Sequence, residues 1–232
     1  MKQLIFSCYF NGKEDPQFPG MRHRAKNFDA IYLWLKSLTM CGLHGVIFTD
    51  NLPRVHEPFV NNVTLVPYKL RTGWTILEER HLCYLGYLER HPEIEQVVFT
   101  DLFDCELYRD PFGLMTDRYD LLAGYGGRLH EPLAGNSWIE TEMSRAYNAV
   151  WYKENPVLCA GLWGGRREVV MTVLRAMIRD FEQINPSEHV DMSVFIKCAY
   201  DIIPRGSILL GEPFCSKFKR YEMSGDFAIR HK

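Results

Sequence analysis

Asp101 and Asp104 stand three residues apart in the stretch Val-Val-Phe-Thr-Asp-Leu-Phe-Asp-Cys-Glu-Leu-Tyr-Arg-Asp-Pro-Phe, which runs from Val97 to Phe112. Val97, Val98 and Phe99 make a short β-branched and aromatic run of the kind that forms a buried parallel strand, and the run breaks off at Thr100 and Asp101. In open α/β sheets the carboxyl ends of the strands face the ligand crevice. Two carboxylates there can share one hard cation, and such a cation can carry phosphate. Aspartates after strands also serve as turn formers and helix caps, which is how Asp110 before Pro111 reads.

Three further residues have types and places that suit chemistry. Arg80 falls on the apolar stripe of a periodic segment, with Ile76 or Leu77, Cys83, Tyr84 and Tyr87. A charge on such a stripe must be paired or face a polar cavity, unless the side chain buries only its methylenes. Asp191 opens another helical stretch, where a carboxylate suits the helix dipole with or without a further role. His231 follows the apolar run Phe227, Ala228, Ile229, which can dock the last residues and aim an imidazole. Gly124, Gly126, Gly127, Gly161, Gly164 and Gly165 permit close backbone approach at strand ends, though such glycines also make turns. No P-loop or dinucleotide fingerprint occurs, so a bound nucleotide is held another way.

The elements that must position these residues follow an alternating pattern. A strand over Leu4–Phe10 leads to a polar loop, and Asn27 is placed to cap a helix with Phe28, Ile31, Trp34 or Leu35, and Leu38 inward. Strands over 45–50 and 63–68, a helix over Ile76–Arg90 and the strand of the acidic stretch complete the first half. The second half reads as a strand over 120–127, a partly helical excursion over 136–152 and a strand over 156–165. A helix over 167–183, a shorter one over 190–200 and strand-like pieces over 208–211 and 227–232 follow. This alternation predicts one α/β domain over residues 1–232, with a mostly parallel sheet and helices on both faces.

With 232 residues, 47% hydrophobic and 24% charged, the chain has enough apolar content for one sizeable core. Its formal net charge of -2 offers no polybasic footprint, so nucleic-acid or membrane-surface binding has no electrostatic support. The seven cysteines are widely spread with no Cys-x-x-Cys pair, and read as small buried hydrophobes. That usage, and the lack of any run of about 18 apolar residues, predicts a cytoplasmic protein without a membrane span.

In this order, the residues resemble the GT-A (Rossmann-like) class of nucleotide-sugar-dependent glycosyltransferases. That class is marked by an apolar strand ending in an acidic motif that holds a divalent metal on the donor diphosphate. The segment Phe99–Asp104 looks like a variant of that motif, and the whole is most similar to retaining members of the bacterial galactosyltransferase and glycogenin group. The resemblance implies that Asp101, Asp104 and His231 hold Mn²⁺ or Mg²⁺. It implies catalytic roles for Arg80 and Asp191 at the transferring sugar. Cys159, Ala160 and Gly161 would line the donor site, with Cys in place of the usual Asn, and Lys232 would add a cation for the diphosphate. Residues 1–112 would then form the nucleotide-sugar and metal half, and 113–232 the acceptor side. Departures from the pattern are the Asp-x-x-Asp spacing, Cys159, and Met192 after Asp191.

The expected activity is therefore transfer of a sugar from a nucleotide-diphosphate donor, such as a UDP-sugar, to a glycan, protein or small-molecule acceptor with retention. The metal would neutralise charge building on the leaving diphosphate. The alternative is a non-catalytic module that binds a nucleotide sugar or a protein partner on the same fold. A phosphatase of the Asp-x-Asp haloacid type would need a carboxylate where Phe103 stands.

Overall fold

A computed structural model describes residues 2–14, 16, 31–50, 61–126, 132–217 and 225–231. Strand β1 (Lys2–Tyr9), helix α1 (Tyr32–Met40), β2 (Gly45–Thr49), β3 (Val63–Pro67), α2 (Ile76–Arg90) and β4 (Ile94–Thr100) form the first half. Then come β5 (Cys105–Leu107), β6 (Leu121–Tyr125), α3 (Ser137–Tyr147), β7 (Leu158–Arg166), α4 (Arg167–Ile184), α5 (Asp191–Ile202), β8 (Ile208–Leu210) and β9 (Ile229–His231). The expected cap at Asn27 and the apolar Phe28 lie outside the described residues. Trp34, Leu35 and Leu38 of α1 are buried as their spacing requires.

Seven strands make one sheet in the order β3-β2-β1-β4-β7-β6-β8. Every neighbouring pair is parallel except those made by β7, which runs antiparallel to β4 and to β6. The fold is thus α/β and Rossmann-like, with a mostly parallel sheet. From β1 the chain moves out through β2 to β3 and then returns to place β4 on the other side of β1. That reversal makes the carboxyl ends of β1 and β4 the switch point of the sheet, the place where open α/β sheets have their ligand crevice.

Side-chain alternation along the strands puts layers on both faces. On one face, Phe6, Phe48, Phe99 and Trp163 meet Tyr84 and Tyr87 of α2 and Phe195 of α5, with Tyr84 stacked on Phe99 at 4.5 Å. On the other, Trp34 of α1 donates its indole N–H to Thr100 Oγ1 at 2.9 Å, and Ser7 donates to the Thr100 carbonyl. Fully burying one such aromatic is worth roughly 1.5–3 kcal/mol, so these stacks fix the strand that ends at Asp101.

The short β5 was not expected. It pairs antiparallel with β9, with Cys105 opposite His231 and Leu107 opposite Ile229, and so forms a second, two-stranded sheet. α1 supports it, because Leu107 N–H donates to Ser37 Oγ. Among the described residues, no helix is long and apolar enough to cross a membrane.

Candidate functional site

Asp101 is the first residue past β4, with a third of its side-chain surface open to the crevice. Opposite it, the register of β6 against β7 shifts between Ala123, which pairs with Trp163, and Gly124, which pairs with Cys159. Residues 160–162 thereby leave the β6 ladder, the kind of irregularity that re-aims a strand beside a site. The position released is Gly161, whose missing Cβ leaves the space that Asp101 Oδ2 fills. A sequence of small residues here, Ala160 and Gly161, is what lets a carboxylate lie against the strand.

Helix α2 holds the start of α5 through Glu78, Arg80 and His81. Thr75 caps α2, accepting from Leu77 N–H, and its hydroxyl bonds Glu78, as the Thr-x-x-Glu pattern favours. Glu78 Oε1 accepts the Val190 N–H at 2.9 Å, just before α5 begins. Arg80 then donates from Nη1 to Asp101 Oδ1 and from Nη2 to Asp191 Oδ2, each at 2.6 Å. His81 Nε2 lies 3.6 Å from the same Asp191 oxygen. Asp191, Glu78 and His81 are fully buried, and Arg80 nearly so.

The charges are set by these neighbours. Burial works to raise the Asp191 carboxyl, but Arg80, His81 and His189 outweigh it and hold the group well below the usual carboxylate range. Asp101 is lowered in the same way, against burial, by Arg80 and His231. Burial pushes the His81 imidazole down, keeping it neutral, and pushes the Glu78 carboxyl up, with Asp191 adding to the rise.

His231 arrives from β9. It is 2% exposed, its backbone N–H donates to Ser216 Oγ at 3.0 Å, and its Nε2 lies 3.7 Å from Asp101 Oδ2. Its Nδ1 faces Cys159 Sγ at 3.9 Å. Burial opposes a charged ring here, yet the Cys159 sulfur and the Asp101 carboxylate push its pKa up to about 10. Asp104 sits in the turn before β5 with an exposed side chain, while Ala160 N–H donates to Met192 Sδ. Lys232 lies outside the described residues.

Asp101, Arg80, Asp191, His231, Cys159, Ala160 and Gly161 therefore converge on one strand end from five separate elements or turns. For a divalent metal, Asp101 and His231 offer an oxygen and a nitrogen at a spacing two ligands of one ion can have, since metal bonds of about 2.0–2.2 Å place ligand pairs about 3–4 Å apart. A ring proton must leave for that to happen.

Two residues beside Asp191, the buried Glu142 and the part-buried His189, were not singled out by the sequence. Glu142 on α3 accepts the Ser193 N–H at 2.9 Å through Oε1, and His189 Nε2 lies 2.9 Å from Asp191 Oδ1 and 3.9 Å from Glu142 Oε2. Burial pushes the Glu142 carboxyl up to about 7, with His189 lowering it and Asp191 raising it. Nothing in the irregular stretch over 136–152 marked Glu142, and His189 had only its nearness to Asp191 as a signal. All seven cysteines are free.

No family model matches the chain, and no curated protein matches its sequence.

Proposed function

We propose that this chain is a metal-dependent glycosyltransferase that moves a sugar from a nucleoside-diphosphate donor to an acceptor, with retention at the transferred carbon. The observation that carries the reading is the arrangement at the end of β4, where Arg80 joins Asp101 to Asp191 while His231 closes on the other oxygen of Asp101. A polar cluster with one open carboxylate, at the reversal point of a mostly parallel sheet, suits a phosphorylated ligand better than a packing role. It is also the cluster that the resemblance to GT-A enzymes picks out, gathered from positions as far apart as 80 and 231.

In this reading Asp101 and His231 hold Mn²⁺ or Mg²⁺, with the exposed Asp104 of the following turn as a further ligand. The bound ion supplies Lewis-acid neutralisation of the departing diphosphate. Arg80, fixed in place by two carboxylates, presents its guanidinium to the donor sugar, and Asp191 orients that sugar through Arg80. The open backbone at Gly161 lets the donor approach the carboxylate closely, and the Cys159 sulfur replaces the amide usual at that wall.

A thermal-shift screen of nucleotide sugars with and without Mn²⁺, followed by assay of slow donor hydrolysis, tests the proposal. Binding at 100 times Kd should stabilise by about 2.7 kcal/mol. A metal-dependent shift with release of free sugar supports the enzyme. A shift without turnover under any metal favours a nucleotide-sugar-binding module, and no shift with any donor overturns the assignment.

A further inference from the structure

Behind the crevice, Asp191 Oδ1, Glu142 Oε2 and His189 Nε2 lie within 4.8 Å of one another, the one such set of three His, Cys, Asp or Glu ligand atoms among the described residues. None of the three makes a hydrogen bond, although all are buried. Asp191 is fully buried and Glu142 is 2% exposed, so water does not freely compensate them. Leaving a buried polar atom without a partner costs about 1–3 kcal/mol, and more for a charged group. The 2.9 Å approach of His189 Nε2 to Asp191 Oδ1 lacks the alignment of an N–H···O bond. Both atoms therefore have lone pairs left for something else.

The other half of each side chain is already fixed. Glu142 Oε1 takes the Ser193 N–H and Asp191 Oδ2 takes Arg80, which leaves the remaining oxygens directed by their partners. Such outer contacts orient metal ligands. The observed separations of 2.9 and 3.9 Å bracket the roughly 3.4 Å expected between two ligands held at about 2.0–2.2 Å around a tetrahedral ion. Charge does not oppose this: Glu142, Asp191 and Asp101, when ionised, outnumber the Arg80 guanidinium and the His231 ring that face them.

We propose that Glu142, His189 and Asp191 form a second metal site, distinct from the one at Asp101, that takes a divalent transition metal of the Zn²⁺ class. One imidazole and two carboxylates make a mixed N/O set suited to such ions, with a fourth position for water. The entry path runs past His189, which is the least buried of the three and lies beside the exposed Trp138 at 5.6 Å. The ion would tie α3 to the first turn of α5, and so brace the residue that anchors Arg80.

The test is equilibrium dialysis of the metal-stripped full chain against Zn²⁺ alone, with thermal shift in parallel and no donor present. The wild-type chain should bind one equivalent at this site and gain melting temperature. Glu142→Gln and His189→Ala should each weaken that binding at least 10-fold. Glu142→Gln keeps the side chain's shape, and its far-ultraviolet circular dichroism shows whether the fold is retained. Absence of saturable Zn²⁺ binding to the wild type overturns the proposal. So does equal binding by a folded Glu142→Gln variant. Because no nucleotide sugar enters this assay, its result is independent of whether the chain transfers sugar.

Discussion

The carboxylate of Asp101 occupies the volume that a side chain at Gly161 would need, so that any Cβ at this position would overlap Asp101 Oδ2. Asp101 cannot simply swing away, because Arg80 holds its other oxygen at 2.6 Å. Gly161→Ala should therefore tilt the carboxylate out of its place. Under the proposed activity, Mn²⁺-dependent donor affinity should fall at least 10-fold, on the scale of losing a well-placed ligand partner. Titration calorimetry with Mn²⁺ and the best donor reads this directly; parental affinity in Gly161→Ala would show that Asp101 does not ligate.

Arg80 answers two carboxylates at once, and one of them, Asp191, has no exposed surface. Arg80→Leu suits the apolar stripe of α2 but strands a buried anion, and breaking one side of a buried pair costs about 3–5 kcal/mol. Urea unfolding should reveal a loss of that order. Adding Asp191→Asn should recover part of it, because the orphaned charge is gone. Arg80→Lys should also be destabilised, since one ammonium cannot span both Asp101 Oδ1 and Asp191 Oδ2 as a guanidinium fork does. An unchanged urea midpoint in Arg80→Leu would mean that the two carboxylates are satisfied without it.

Glu79, next along α2, gives a pH-dependent prediction away from the crevice. Its buried carboxylate accepts from Arg71 N–H at 2.8 Å, Thr72 N–H at 3.1 Å and the Tyr68 hydroxyl at 3.1 Å, with Lys13 Nζ at 3.6 Å. Burial would raise its pKa, but the Thr72 and Arg71 donors and the Lys13 charge bring it below the ordinary value. A carboxylate lowered on folding contributes stability above its unfolded pKa of about 4.3, and that contribution fades as pH falls through the folded value. Glu79→Gln should thus be less stable than the parent by about 2 kcal/mol at pH 7, the scale of hydrogen bonds to a charged acceptor. The gap should narrow in acid, and a gap that is constant with pH would assign the loss to packing instead.

The sequence made the sheet legible because its strands are short apolar runs closed by turn residues, and α2 and α4 because their apolar spacing is strongly periodic. The bounds Ile76–Arg90 were readable from those positions alone. Two things were not. β5 is three residues long, too short for a period of two to register, and although the strand-like piece over 227–232 was readable, its pairing with β5 through Cys105 and His231 is a contact that no local pattern encodes. The reversed direction of β7 is likewise a property of the whole topology. At the site, periodicity put Arg80 inside but could not name its partners, which come from the end of β4 and the start of α5. It also left Glu78, Glu79 and His81 outside the stripe, whereas α2 is enclosed on nearly all sides and buries them.

Asp104 and His231 can be told apart as candidate ligands by what each does for the fold. His231 is buried in β9 and pairs with Cys105, so the docking that its preceding apolar run predicts makes it part of a packed sheet. His231→Ala should then lower stability as well as metal binding, and its loss of function would be ambiguous. Asp104 is exposed in the turn before β5, and Asp104→Asn keeps the side chain's volume. Substitutions at such positions usually change stability by no more than about 0.5 kcal/mol. Asp104→Asn should therefore melt with the parent and lose Mn²⁺-dependent donor binding at least 10-fold. Parental donor binding in this variant would remove Asp104 from the metal's ligands and leave Asp101 and His231 to hold the ion with the donor's own oxygens and water.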